Sequence, residues 1–116
     1  MPSASQFQSR LCQTTVTIAS SGTASGEADL GGTTLVGVML PAALTGTTLT
    51  FTAAAIAGGT SNPVTGSNGS ALSFTVAANK YLAIDPALFH GIQFIKAVSG
   101  SAEGASRDLI LFSKAL

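Results

Sequence analysis

Few side chains in this sequence can carry protons, metal ions or reactive electron pairs. His90 is the only histidine and Cys12 the only cysteine. A zinc site takes three or four His, Cys or carboxylate ligands, and no second His or Cys stands near either residue. A nucleophilic mechanism needs a base beside the nucleophile and a third group to orient it. Serine and threonine are so abundant here that their presence selects nothing. The acids are Glu27, Asp29, Asp85, Glu103 and Asp108. Two carboxylates across a cleft would suit glycoside hydrolysis, but five acids on loops allow many pairs and single out none. Glu27 and Asp29, two apart, can share a strand face and with main-chain oxygens could hold calcium, yet there is no D-x-D-x-D-G loop. Gly22, Gly26, Gly31 and Gly32 are not followed by the helix and lysine of a phosphate loop. The sequence therefore predicts no catalytic set, no metal site and no cofactor. Cys12 alone can form no intrachain disulfide and reads as a small buried hydrophobe.

What remains is contact chemistry. Charged residues make up 9% of the 116 residues, against roughly 25% in typical soluble proteins. Five basic residues balance five acidic ones. Scattered and neutralised, they cannot make the clustered footprint that binds nucleic acid or an anionic membrane. With 46% hydrophobic residues, the chain is also unlike a disordered one. No charge occurs from Leu30 through Asn79. Exposed faces in that stretch must be built from Thr, Ser, Ala and Gly, which cost little to desolvate and suit protein contact. Thr48, Thr50 and Thr52, all on one side of a strand, are the candidate contact row. The plainer alternative is a threonine-rich sheet face with good β propensity. A threonine row is also what ice-binding proteins display, although three residues make a short one.

The elements that would position these residues have period two. Strands are predicted at Cys12–Ala19, Glu27–Leu30, Thr33–Leu40, Thr47–Ala54, Ala71–Val76, Lys80–Ile84, Gln93–Val98 and Asp108–Ser113, about eight in all, separated by Gly, Asn, Pro and Ser turns. Thr33–Leu40 is apolar on both faces, which predicts a central strand covered on both sides. Residues 55–69 read as a long loop ending in the Asn68-Gly69 turn. Asp85 and Pro86 predict one helical turn near 86–90, and 102–106 reads as a loop tip. No segment keeps a helical period over ten or more residues. The fold class is therefore all-β: a single antiparallel β-sandwich, jelly-roll-like. Residues 1–11 read as a polar N-terminal arm and 12–116 as the sandwich domain. The arm lacks the basic and apolar regions of a secretory signal, and no window is apolar enough to span a membrane. Phe7 and Arg10 are its candidate contact residues if it orders against a neighbour; otherwise it is a frayed tail.

Several motifs occur in an order that resembles small virion structural proteins of tailed bacteriophages. They are Asp29–Pro41 (DLGGTTLVGVMLP), Leu44–Phe51 (LTGTTLTF), Lys80–Pro86 (KYLAIDP) with Phe89, Gly91–Gly100 (GIQFIKAVSG) and Arg107–Leu111 (RDLIL). The resemblance covers about residues 12–113. It implies a β-sandwich head decoration (cement) protein, commonly a homotrimer, that binds the major capsid protein or another virion protein. It also implies localisation in the virion after synthesis in the host cytoplasm. A tail, head-fibre or fibre-base component is the alternative within that class. A carbohydrate-binding β-sandwich module is the alternative from another class. It is disfavoured because the chain has no Trp and one tyrosine, Tyr81.

Overall fold

Nine strands form in the structure, a computed structural model that describes residues 11–115, and the longer ones follow the alternation of apolar residues with threonine. They are β1 (Leu11–Ile18), β2 (Ala28–Asp29), β3 (Thr34–Met39), β4 (Thr48–Ala54), β5 (Ser61–Pro63), β6 (Phe74–Thr75), β7 (Tyr81–Ala83), β8 (Phe94–Ser99) and β9 (Arg107–Lys114). Every pairing is antiparallel. One sheet has the order β1-β9-β3-β7; the other runs β2-β8-β4-β5, with β6 also beside β4. The two sheets are packed as the predicted sandwich. Phe7 and Arg10, and with them the question of whether the arm orders, lie outside the described residues.

The core lies between the sheets. Val16, Ile18, Leu35, Val38, Leu109 and Leu111 enter from the first sheet; Leu49, Phe51, Ile95 and Ala97 enter from the second. Phe89 closes one flank. Its ring meets that of Phe51 edge to face, with centroids 5.2 Å apart. Phe89 is held there by the predicted helical turn, a single 3-10 turn at Pro86–Leu88. The Asp85 carboxylate accepts a hydrogen bond from the Ala87 amide at 3.0 Å. Asn68-Gly69 forms its turn, with Gly69 at φ +81° and the Gly69 amide donating to the Gly66 carbonyl.

Four expectations need correction. The loop at 55–69 contains a strand: β5 pairs with β4, and its Pro63 is tolerated because β5 is an edge. β3 is interior in its sheet but covered on one face only. A bulge between Leu35 and Gly37 turns Leu35, Val38 and Leu40 inward, leaving Met39 40% exposed. Cys12 is exposed rather than buried, because the first half of β1 overhangs the core and only Val16 and Ile18 reach it. Residues 102–106 are not a free tip, because Glu103 turns inward and is 1% exposed.

Candidate contact surface

The five acids are engaged in bonds that hold the fold. Ala28 points into the core, so Glu27 and Asp29 do share the outer side of β2. They work separately there. Glu27 accepts from the Gly58 amide at 3.0 Å, tethering the β4–β5 turn. Asp29 accepts from the Gly31 amide at 2.8 Å and the Gln93 side-chain amide at 3.0 Å. Asp85 caps the 3-10 turn, and Asp108 accepts from the Thr17 hydroxyl at 2.7 Å. His90 is exposed. Among the described residues, no group of three His, Cys, Asp or Glu side chains converges as metal ligands, and no helix is long and apolar enough to cross a membrane. A shallow groove of about 240 Å³ runs along Gly31–Thr34 and Gly91–Gln93. It is lined by turn glycines, Thr33, Thr34, Ile92 and Gln93, with no acid or base among them.

Glu103 is the most heavily bonded of the acids. One carboxylate oxygen, Oε1, accepts from the Thr45 amide at 2.8 Å and from Arg107 Nε at 3.0 Å. The other, Oε2, accepts from the Gly46 amide at 2.9 Å and the Ser99 hydroxyl at 2.7 Å. Main-chain bonds from Ser21 and to Gly22 attach Glu103 to the β1–β2 turn as well. This one residue therefore ties together the β1–β2 and β3–β4 turns, the end of β8 and the start of β9. Burial alone would raise its pKa. The donors from Thr45, Ser99, Gly46 and Arg107 more than reverse that and bring it down from 4.5 to about 2. A Cβ on Gly46 would overlap Ser99 Oγ, so only glycine lets the β3–β4 turn come this close.

The outer faces of the two sheets differ. On the second sheet, Thr48, Thr50 and Thr52 do form an outward row, half-buried along β4. They pair with Thr75, Val98 and Lys96. The charge-free stretch of sequence thus does not make a charge-free face, because β8 sets Lys96 opposite Thr52.

On the first sheet, the outward residues at the middle of the face are apolar. Register places Ile110 and Phe112 of β9 beside Met39 and Gly37 of β3, and Tyr81 of β7 opposite Met39. Gly37 has a specific reason to lack a side chain: a Cβ there would overlap the Tyr81 ring. Tyr81 thus lies across β3 and meets Phe112 edge to face at 5.4 Å, while staying 47% exposed. At one end of this face stands Leu11, 57% exposed. The charges Asp108 and Lys114 sit at the two ends of β9. Leu11, Met39, Tyr81, Ile110 and Phe112 were not singled out from sequence. Their signal was present in the two-sided apolar pattern of β3 and β9, which points equally to a covering layer and to a partner.

No protein-family model matches this chain, and neither the curated proteins nor the solved structures contain a match to it.

Proposed function

We propose that this protein is a non-enzymatic structural component of a bacteriophage particle, most simply a head decoration protein. The observation that favours a contact role is the apolar patch of Met39, Tyr81 and Ile110 at the middle of the outer face of the β1-β9-β3-β7 sheet. Open apolar surface of this kind marks binding to another protein more often than it marks idle surface. The virion assignment rests on the motif order described above. The physical demands of the role agree with the chain. DNA packed in a head presses outward, and a small rigid domain bridging adjacent capsid subunits resists their separation by added contact area. It needs no chemistry, and many weak contacts repeated over the shell sum through multivalency. Two antiparallel sheets packed face to face are rigid enough to transmit that load.

The test is copy number in purified particles, by quantitative mass spectrometry. A symmetric shell demands hundreds of copies, whereas a tail or fibre-base part occurs in about a dozen or fewer. Hundreds support decoration, a dozen moves the protein to the tail or fibre base, and absence from particles refutes the virion reading. The half-exposed Tyr81 ring is the one feature favouring carbohydrate binding. Because that ring already lies over Gly37 and against Phe112, it offers a sugar only one partly open surface. Retention on a glycan array would favour that reading instead.

A further inference from the structure

Sheet edges expose main-chain donors and acceptors, and folded proteins normally blunt them by shortness, charge, proline or a bulge. Three edges here follow that rule. β7 is three residues long and lies between Lys80 and Asp85. β2 is two residues long and carries Asp29. β5 is three residues long and carries Pro63. β1 does not follow it. It has eight residues, Leu-Cys-Gln-Thr-Thr-Val-Thr-Ile, without charge, glycine or proline.

The outward main-chain groups of β1 are identified by its far end. There the Thr17 carbonyl leaves the ladder and accepts from the Gly26 amide at 3.2 Å. In an antiparallel strand, alternate residues point their N–H and C=O to the same side. Leu11, Gln13 and Thr15 therefore also point off the edge, and among the described residues no group bonds to them. Among the described residues the edge is open from Leu11 to Thr15 and closed beyond by Ser25 and Gly26, the former bridging Ile18.

We propose that this open edge pairs antiparallel with β1 of a second copy, about a two-fold axis at Gln13. The spacing is self-complementary. Around that axis Leu11 faces Thr15 of the second copy, Gln13 faces Gln13, and Thr15 faces Leu11. Every open N–H then meets an open C=O. A slide towards Thr17 runs into the closed end, which limits the register on that side. No charge on β1 opposes a like charge across the axis. The side chains of Leu11, Gln13 and Thr15 lie on the outer face, so pairing also sets the outer faces of the two sheets side by side. The pairing needs none of the virion reading. It is also a different assembly from the three-fold cluster that the phage resemblance implies.

Light scattering after size exclusion, from micromolar to about millimolar protein, tests it. The expected result is a concentration-dependent shift from the mass of one chain to that of two. Thr15→Pro removes an outward N–H without touching the β9 ladder, and is expected to weaken pairing about tenfold or more. Should that variant not fold, Gln13→Lys and Gln13→Glu address the same axis at an exposed position. Each sets like charges opposite each other and is expected to weaken pairing about three- to fivefold at low salt, while an equal mixture of the two restores it. A single-chain mass throughout, a three-chain mass, or variants that pair like the wild type would each overturn the proposal.

Discussion

Glu103→Gln tests the energetics of the turn cluster. In the folded protein the carboxylate accepts four hydrogen bonds, two on each oxygen, and its pKa falls from 4.5 to about 2. At about 1.4 kcal/mol for each tenfold change in proton affinity, that difference corresponds to about 3 kcal/mol of stability. The Arg107 side chain is 17% exposed, so solvent screens part of the ion pair, leaving about 2–3 kcal/mol. Glutamine keeps one acceptor and turns an NH₂ towards two donors, so it loses the charge and strands buried partners. The folded-state pKa lies below the unfolded one. The stabilisation is therefore complete above about pH 5 and is lost as the pH falls from there towards 2. Urea titrations of both proteins should separate them by about 2–3 kcal/mol at pH 7 and by under about 1 kcal/mol at pH 2. Equal midpoints at pH 7, or stability curves running parallel from pH 5 to pH 2, would refute the account.

Three further outcomes follow from the packing. Phe89→Ala empties the flank of the core against Phe51 and should cost about 3–5 kcal/mol in a urea titration, whereas a loss under about 1 kcal/mol would mean the site collapses around the gap. Gly37→Ala drives Tyr81 off β3; since Tyr81 is the only tyrosine and there is no tryptophan, tyrosine fluorescence should change while stability moves by under about 1 kcal/mol, the ring being free to swing outward. Cys12 is exposed, so Ellman's reagent should modify the folded protein at close to the rate of the urea-unfolded chain, and a reaction slowed a hundredfold would place the thiol in a covered position.

The layer architecture was legible because period-two alternation and turn residues report directly on strand and break. Thr48–Ala54, the 3-10 turn after Asp85 and the Asn68-Gly69 turn stand where the residues placed them. β5 was hidden because Ser61–Pro63 has no apolar alternation of its own; it is a strand only because β4 offers ladder groups to it. Glu103 was hidden for a similar reason. Its donors come from residues 45 and 46 as well as from 99 and 107, and a polar link rich in Ser and Gly gives no hint that its one acid folds back into the protein. The threonine row was legible as a row. Its neighbour Lys96 was not, because register between β4 and β8 is set by tertiary packing.

The two-sided apolar pattern of β3 and β9 has the most functional consequence. Such a pattern suits a strand with apolar neighbours above and below, and a two-layer sandwich supplies only one of them. The same holds at the edge of that sheet, where β1 carries the propensity of an interior strand but, among the described residues, has β9 alone beside its Leu11–Thr15 half. Met39 and Tyr81, and among the described residues the edge at Leu11–Thr15, thus have a feature in common: apolar side chains and main-chain groups that the sandwich leaves uncovered. The acids serve the chain's own turns and the β1–β9 pair, so what the described residues leave unmatched is apolar area at Met39 and Tyr81 and strand pairing along β1.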